Sequence, residues 1–204
     1  DPLVVDKTGT LTEGKPRLTS VKAMAEWSEE DLLRLAASLE QGSEHPLAEA
    51  IVDAAKERDL KLSSTDAFNA ETGRGVTGET DGHEVAVGNQ KLLDDLGLDI
   101  TDLVEQAETL RRKGATAIFV VIDGSPAGIL GVSDPIKEST PNALKELRKM
   151  GLQVVMLTGD NETTALAVAK ELDIDEVEAE VSPDRKNEIV SQLRDEGRIV
   201  AMAG

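Results

Sequence analysis

The 204-residue chain contains no cysteine and no tyrosine, and its aromatic residues are Trp27, Phe68 and Phe119. The absence of cysteine excludes disulfides, thiol nucleophiles and thiolate metal sites, and it is compatible with a reducing compartment. With so few aromatic rings, a folded core has to be built from aliphatic side chains. No apolar run reaches the roughly 18 residues of a membrane span, so the sequence predicts no direct membrane insertion of this segment.

Basic residues are also in short supply. The chain has 22 Lys and Arg residues against 40 Asp and Glu residues, which gives a formal net charge of −18. The sequence therefore predicts no nucleic-acid partner, since neutralising phosphates requires clustered basic side chains. A nucleotide is also a polyanion, so a site for ATP would need local lysines, backbone N–H groups and a divalent cation to offset the field of the chain.

The pattern of apolar residues changes along the chain. Both ends alternate short apolar strands with helices, which is typical of parallel βαβ units with right-handed crossovers. The middle instead shows hairpins, marked by Asp81-Gly82 and Asp123-Gly124 between alternating apolar runs. The sequence thus predicts an α/β fold with a second, α+β domain inserted into it, in which helices flank an antiparallel sheet.

The predicted α/β domain is discontinuous and covers residues 1–20 and 132–204, and the predicted insertion covers residues 21–131. The two crossings between these domains predict a hinge. In the outer segments, strands are predicted at 3–5, 154–157, 177–179 and 199–202, and helices at 138–150, 162–172 and 183–196. In the insertion, helices are predicted to begin at Ser28 and Pro46 and to cover 89–96 and 101–113, and strands to cover 117–122 and 127–132.

Polar residues suited to phosphate chemistry stand at three element ends of the outer segments. Asp6 follows the first strand, Thr158-Gly159-Asp160 follows another, and Lys186 lies early in a helix. Because ligands of open α/β sheets bind at the carboxyl ends of the strands, these residues are expected to converge. They supply a nucleophilic carboxylate, a hydroxyl, backbone donors and a cation for phosphoryl transfer. Mg²⁺ is expected to bridge the carboxylate and the phosphate.

The run from Asp6 to Thr10, Asp-Lys-Thr-Gly-Thr, combines with Thr158-Gly159-Asp160, Pro183 and Lys186. This set resembles the haloacid dehalogenase superfamily and, within it, the P-type ATPases. The resemblance implies a Rossmann-like phosphorylation domain in which ATP phosphorylates Asp6, and in which Lys186 and Thr158 hold the phosphate. It also implies that Asp6 and the main chain of Thr8 coordinate Mg²⁺. The predicted catalytic residues are Asp6, Lys7, Thr8, Thr158, Gly159, Asp160 and Lys186.

Thr8 stands two residues after Asp6, where phosphatases of this superfamily usually carry an aspartate that acts as general acid and base. A hydroxyl transfers protons poorly at neutral pH, and such catalysis is worth about 10²–10⁴-fold in rate. The aspartyl-phosphate is therefore expected to persist, as an intermediate coupled to conformational change requires. Two alternatives stay open: a cap-like loop in which Asp6 binds only its own backbone, and a soluble phosphatase of the same superfamily.

The insertion carries a second set of motifs: Glu40, then Ser43-Glu44-His45-Pro46, a glycine-rich run at 73–78, and Gly88-Asn89. The run matches the dinucleotide fingerprint Gly-x-Gly-x-x-Gly, but a hairpin follows it where the fingerprint requires a helix, so a Rossmann nucleotide site is excluded. The glycines let backbone approach a ligand closely, or they form a bulge or strand turn. Gly88-Asn89 also suits a simple helix N-cap.

Taken together, these residues resemble the nucleotide-binding domain of the heavy-metal-transporting P-type ATPases, and Glu44 before His45-Pro46 favours the copper(I) pumps. The resemblance implies that His45 and Glu40 orient ATP, and that the glycines lie against its base and phosphates. The predicted nucleotide-binding residues are Glu40, His45, Gly73, Gly75, Gly88 and Asn89.

The sequence therefore predicts the ATP-binding and phosphorylation segment of a copper-type pump, a cytoplasmic domain of an integral membrane protein. The implied cofactors are ATP and Mg²⁺, and the implied partners are the actuator and transmembrane domains of the same pump. The segment is expected to belong to a longer chain, because the family's Gly-Asp-Gly-x-Asn-Asp motif should begin at about Gly204. The phosphorylation domain is therefore expected to be incomplete at its C-terminus. The further alternative is a nucleotide-binding module without chemistry.

Overall fold

The computed structural model describes residues 2–174, 176–182, 185, 188, 189, 191 and 200–203. The chain divides into two compact units. The parallel-sheet unit comprises Asp1–Lys15, Arg111–Thr116 and Asp134–Gly204, and the antiparallel-sheet unit comprises Pro16–Leu110 and Ala117–Ser133. The predicted domains differ from these units at residues 16–20, 111–116 and 132–133, so the chain passes between the units four times rather than twice.

The strands and helices are numbered in chain order. The strands are β1 (Pro2–Asp6), β2 (Arg17–Ala23), β3 (Thr65–Glu71), β4 (Gly75–Thr80), β5 (His83–Gly88), β6 (Thr116–Ile122), β7 (Ser125–Ser133), β8 (Gln153–Leu157), β9 (Glu176–Glu178) and β10 (Ala201–Ala203). The helices are α1 (Glu29–Glu40), α2 (Pro46–Glu57), α3 (Gln90–Asp95), α4 (Thr101–Arg111), α5 (Thr140–Lys149) and α6 (Glu162–Leu172). Among the residues described, no helix has the length and apolarity to cross a membrane.

The parallel-sheet unit is built on four parallel strands in the order β10-β1-β8-β9. Alternate side chains of β1 and β8 enter two cores because successive residues of a strand point to opposite faces. Val5 and Met156 pack with α5 and α6 on one face, and Val4 and Leu157 pack on the other. The predicted parallel α/β sheet is thus confirmed.

The antiparallel-sheet unit contains six strands in the order β2-β7-β6-β5-β4-β3. Its helices cover both faces, since α1 and α2 pack on one side with Val85 and Val87, while α3 and α4 pack on the other with Ala86. Both predicted Asp-Gly hairpins are confirmed. Asp81 and Asp123 have φ values of 53° and 50°, and the following glycines also have positive φ, as tight two-residue hairpin turns require.

Local signals at helix starts also match the structure. Ser28 caps α1, with its hydroxyl accepting a hydrogen bond from the Asp31 backbone N–H at 3.0 Å, and Pro46 opens α2 in the first helical position. Two strands were not predicted, β2 and β3. Nearly all of β3 is exposed or partly exposed at the sheet edge, so it lacks the apolar alternation that reveals a strand. The helix predicted at 183–196 lies largely outside the described residues.

The chain segment Arg111–Thr116 is fastened to the parallel-sheet unit by a buried hydrogen bond. The Thr164 hydroxyl on α6, whose residue is 1% exposed, donates to the Ala115 carbonyl at 3.0 Å. Changing Thr164→Val keeps the shape but leaves that carbonyl without its partner, so we expect a loss of about 1–3 kcal/mol in the free energy of unfolding. Urea denaturation at neutral pH measures the difference.

The same chemical change at an exposed turn, Thr72→Val, serves as the control and is expected to stay within about 0.5 kcal/mol of the wild type. Equal midpoints for Thr164→Val and Thr72→Val would show that the hydrogen bond to Ala115 contributes no net stability.

Candidate active site and nucleotide site

The first candidate site lies at the carboxyl ends of β1 and β8. These strands are adjacent and parallel, and Asp6 is in register with Leu157, so Thr158 begins the loop beside the one that Asp6 begins. Asp6 is partly exposed, whereas Thr158 is 1% exposed. The structure therefore brings the Asp6 carboxylate, which a ligand can reach, to the same edge of the sheet as the buried Thr158 hydroxyl.

Lys7 points into the protein. Its residue is 6% exposed, and its Nζ lies 2.5 Å from Asp160 Oδ2. Apart from this ion pair, Asp160 Oδ2 has no hydrogen-bond partner among the residues that the structure describes. The pair ties the loop after β1 to the loop after β8, so Lys7 and Asp160 set the spacing between the two strand ends.

Backbone hydrogen bonds hold Thr158 in place at the start of the loop after β8. The Asp160 N–H donates to Thr158 Oγ1 at 3.1 Å, and the Val181 N–H donates to the Thr158 carbonyl at 3.0 Å. With Oγ1 acting as acceptor in this bond, its own hydroxyl proton can be donated to a bound oxygen. Gly159 is exposed, so an incoming anion can reach its backbone.

The turn after Asp6 is held by residues that the sequence motifs did not include. Asp134 accepts hydrogen bonds from the Thr12 hydroxyl at 2.5 Å and from the Lys15 N–H at 3.0 Å. The Thr140 hydroxyl donates to the Leu11 carbonyl at 2.8 Å, and the Lys137 ammonium donates to the Gly9 carbonyl. The sequence signal nearest to these residues is the Asp134-Pro135 pair, which lies where the second outer segment begins. Lys186, the predicted cation of the site, lies outside the described residues.

A metal ion here would have few protein ligands. The described residues hold no cluster of three or more His, Asp or Glu side chains able to bind a metal. Mg²⁺ does not require one, since it keeps several waters and takes one or two carboxylates together with substrate phosphates. The Asp6 carboxylate and the Thr8 main-chain carbonyl are of the chemical type that this ion prefers.

The second candidate site begins at the C-terminal end of α1, where Glu40 is 8% exposed. Burial raises the pKa of the Glu40 carboxyl from 4.5 to about 7, and a hydrogen bond from the Ser43 side chain partly opposes this shift. The Ser43 hydroxyl oxygen also accepts from the His45 backbone N–H at 3.3 Å. Glu40, Ser43 and His45 are therefore joined in one short network.

His45 caps α2. Its Nδ1 accepts a hydrogen bond from the Leu47 backbone N–H at 3.1 Å. A neutral imidazole that accepts at Nδ1 carries its proton on Nε2, so His45 presents an N–H donor on its far side. The imidazole is exposed. The direction of the exposed imidazole is therefore fixed by its hydrogen bond to the start of the helix.

An open depression of about 430 Å³ lies beside this network. Four carboxylates and one ammonium line it, which makes it acidic overall. Its lining residues are Glu40, Gln41, Ser43, Glu44, His45, Glu49, Val52, Asp53 and Lys56. The loop at its rim rests on Phe68, whose ring would lie 2.8 Å from a Cβ at Gly42. Phe68 and Gly42 were not predicted, although Phe68 is one of three aromatic residues.

The glycine residues form a second group. Gly75 on β4 stands directly opposite Gly88 on β5, and a Cβ at Gly75 would lie 2.2 Å from the Val87 carbonyl oxygen. Gly75 and Gly88 therefore let the two strands approach. Gly73, with φ of 73°, has open space where its Cβ would be. Asn89 caps α3 and also donates from Nδ2 to the Gly73 carbonyl at 2.8 Å.

The predicted nucleotide residues thus form two groups within the antiparallel-sheet unit. Glu40 and His45 line the depression, whereas Gly73, Gly75, Gly88 and Asn89 hold one another and do not line it. Asn89 is a helix N-cap, as one alternative predicted, and Gly75 and Gly88 lie opposite each other in adjacent strands. Gly73 is the member of the motif whose backbone faces open space.

The raised pKa of Glu40 predicts a pH dependence of stability. Between about pH 4.5 and pH 7 the folded state keeps a proton on Glu40 that the unfolded chain has released, so this carboxyl's contribution to stability falls as pH rises through that window. Glu40→Gln removes the effect. We expect the free energy of unfolding of the wild type, relative to Glu40→Gln, to fall by about 3 kcal/mol from pH 4.5 to pH 8.

Urea denaturation of both proteins across that range measures the difference, with Glu49→Gln as the matched control. Glu49 lines the same depression but is exposed, so Glu49→Gln should follow the wild type at a constant offset. Parallel curves for the wild type and Glu40→Gln would contradict the buried titration.

The sequence and the fold of the chain match known proteins. The family model for haloacid dehalogenase-like hydrolases matches residues 3–204. A copper-transporting P-type ATPase of Rhizobium leguminosarum bv. viciae is 54% identical over 204 residues, which are 100% of this chain and 24% of that protein. A copper-exporting P-type ATPase of Legionella pneumophila is 54% identical over 202 residues, which are 99% of this chain and 27% of that protein.

Among solved structures, the catalytic CPx-ATPase domain CopB-B aligns with a TM-score of 0.74 at 30% identity, covering 100% of this chain and 70% of that one. The chain spans about a quarter of the length of the curated relatives that it matches. The chain belongs to the haloacid dehalogenase-like hydrolase family, within which it matches the catalytic region of copper-transporting P-type ATPases.

Proposed function

We propose that this chain is the ATP-binding and phosphorylated region of a copper-exporting P-type ATPase, with Asp6 as the phosphoryl acceptor. The observation that carries the proposal is the register of β1 on β8, which puts Asp6 and Thr158 at one strand-end edge. Ligands of parallel α/β sheets bind at this edge. The sequence relatives named copper-transporting and copper-exporting support the choice of ion.

In the proposed reaction, an Asp6 carboxylate oxygen attacks the γ-phosphorus of ATP, the bond from that phosphorus to the bridging oxygen breaks, and ADP leaves. The product is an acyl phosphate on Asp6. The Thr158 hydroxyl and the Gly159 N–H donate to the phosphoryl oxygens, and Lys186 supplies positive charge there. Asp6 and the Thr8 main chain would hold Mg²⁺, which supplies charge neutralisation between carboxylate and phosphate.

Thr8 decides how long the acyl phosphate lasts. Its side chain is exposed beside Asp6, but it carries a hydroxyl where a phosphatase needs a proton-transfer carboxylate. Water attacking the phosphorus would therefore lack a base at this position. A long-lived acyl phosphate suits a pump, which has to change conformation before the phosphate is lost.

The nucleotide would dock on the antiparallel-sheet unit through Glu40, Ser43 and His45. The Nε2–H of His45 is a directed donor for an oxygen or nitrogen of ATP. A protonated Glu40 is a donor as well, whereas an ionised one is an acceptor, so its pKa of about 7 lets it serve in either role near neutral pH. Within the whole pump, this region would lie in the cytoplasm and act on the actuator and transmembrane domains of the same chain.

Binding of a non-hydrolysable ATP analogue tests the nucleotide site. His45→Asn keeps a side-chain acceptor for the Leu47 N–H, since asparagine is a favoured N-cap, but it removes the Nε2–H. We expect it to weaken binding about tenfold, the value of one charge-assisted hydrogen bond, as measured by calorimetric titration. Gly75→Asp is a poorer test, because its clash with the Val87 carbonyl would disturb the strands.

The matched control is His83→Asn, because His83 is the other histidine and pairs with Asp123 in a hairpin turn. His83→Asn should bind the analogue as the wild type does. If His45→Asn and His83→Asn both leave binding unchanged, the proposed site is wrong.

The rival function, a soluble phosphatase, makes a different prediction for phosphate esters. With Mg²⁺ and p-nitrophenyl phosphate we expect no turnover of the wild type above that of Asp6→Asn, because Thr8 supplies no base. Thr8→Asp restores the carboxylate and should accelerate the loss of phosphate from Asp6 by about 10²-fold or more. Rapid wild-type turnover that Asp6→Asn abolishes would favour the phosphatase.

A further inference from the structure

Arg74 stands between the two glycines of the Gly73-Arg74-Gly75 loop, and its backbone is fixed from both sides. Its N–H donates to the Glu71 carbonyl at 3.0 Å, and its carbonyl accepts from the Asn89 N–H at 2.9 Å. The Asn89 amide also holds the Gly73 carbonyl at 2.8 Å. The point from which the Arg74 side chain leaves the backbone is therefore determined by the fold.

The Arg74 side chain reaches the other end of α3. Its Nε donates to Asp95 Oδ2, and the side chains are 47% and 50% exposed. The pair joins Nε of Arg74 to one carboxylate oxygen of Asp95, and a guanidinium carries further N–H donors that can bind a second anion. A half-exposed pair of this kind contributes little to stability, so exchanging Asp95 for another anion costs little.

A polyanionic ligand on the antiparallel-sheet unit needs such a cation. The depression beside Glu40 and His45 is lined by four carboxylates and by Lys56 as its one ammonium, and the whole chain carries a formal charge of −18. The Arg74 side chain leaves the backbone at the glycine loop, beside Gly73, whose Cβ position is open space, and its guanidinium lies at Asp95. Guanidinium binds phosphate oxygens in a planar, two-bond geometry.

We propose that Arg74 binds the phosphate chain of the nucleotide and that Asp95 holds the guanidinium until phosphate displaces the Asp95 carboxylate. This inference rests on the proposed nucleotide site. Arg74 is then a specificity residue that distinguishes ATP from adenosine. Asp95 is a competitor for the same guanidinium, so removing its charge should strengthen the binding of phosphates. A purely structural Arg74–Asp95 pair would instead affect all ligands alike.

The test is calorimetric titration of the chain with a non-hydrolysable ATP analogue and, separately, with adenosine. Arg74→Ala should weaken binding of the ATP analogue about tenfold and leave the affinity for adenosine within about twofold of the wild type. Asp95→Asn should strengthen binding of the ATP analogue about threefold without changing the affinity for adenosine. Arg74→Lys should restore part of the loss, since it keeps the charge but not the planar pair of donors. Lys91→Ala, which removes a cation from α3, the helix that carries Asp95, is the control. It should change the affinity for the ATP analogue less than twofold.

An equal change in the binding of the ATP analogue and adenosine by Arg74→Ala would overturn this inference, as would weaker binding of the analogue by Asp95→Asn. If Lys91→Ala lost as much affinity for the analogue as Arg74→Ala, the inference would also be overturned, because the loss of any nearby positive charge would then explain the effect. Failure of the proposed function looks different: the wild type would bind neither ligand, or His45→Asn would leave both unchanged. Circular dichroism of each variant confirms that the fold is retained.

Discussion

The parallel pairing of β1 with β8, tied by the buried Lys7–Asp160 ion pair, is the constraint on which the candidate active site depends. Asp6 and Thr158 are far apart in the chain, and they share an edge because Asp6 is in register with Leu157. Lys7 follows Asp6 and Asp160 follows Thr158 at short distance, so their 2.5 Å contact fixes both loops at once. A buried pair of this kind is costly to break, since the remaining charge would be left uncompensated.

The same constraint changes how the motif Asp6–Thr10 is understood. Lys7 stands beside Asp6, the proposed phosphoryl acceptor, but its residue is 6% exposed and turned away from solvent. Its charge is used to hold Asp160, and the turn that follows is held by Asp134, Lys137 and Thr140 from a distant part of the chain. The turn after Asp6 is thus positioned by neighbours that no local motif contains.

Elements with a local physical cause could be predicted from the sequence. The Asp-Gly turns require positive φ, Ser28 and Pro46 mark helix starts, and the α/β alternation fixes a parallel sheet. The edge strand β3 could not be predicted, because its residues are exposed or partly exposed without apolar alternation, and Ala67 interrupts it with φ of 49°. The burial of Glu40 and the direction of Lys7 depend on distant packing, which periodicity does not encode.

The glycines at positions 73, 75 and 88 were predicted as one group, but the structure requires glycine at these positions for two different reasons. Gly75 and Gly88 are needed because a Cβ at either would meet backbone of the opposite strand, whereas Gly73 is needed for its left-handed φ in open space. The backbone approach that the sequence assigned to a ligand is, for Gly75 and Gly88, an approach of one strand to another. The close pairing of these strands supports the loop that carries Arg74.

An acidic chain that takes a nucleotide has to lower its negative charge locally. Burial does part of this at Glu40, since a pKa of about 7 leaves that carboxyl substantially protonated near neutral pH. His45, whose Nδ1 accepts from the Leu47 N–H, adds no negative charge, and Arg74 contributes a cation that we propose exchanges Asp95 for phosphate. Each of these acts within a few ångströms, where a contact outweighs the screened field of distant surface carboxylates. The net charge of the chain therefore sets its solubility and long-range field, while a few placed groups decide whether a phosphate can bind.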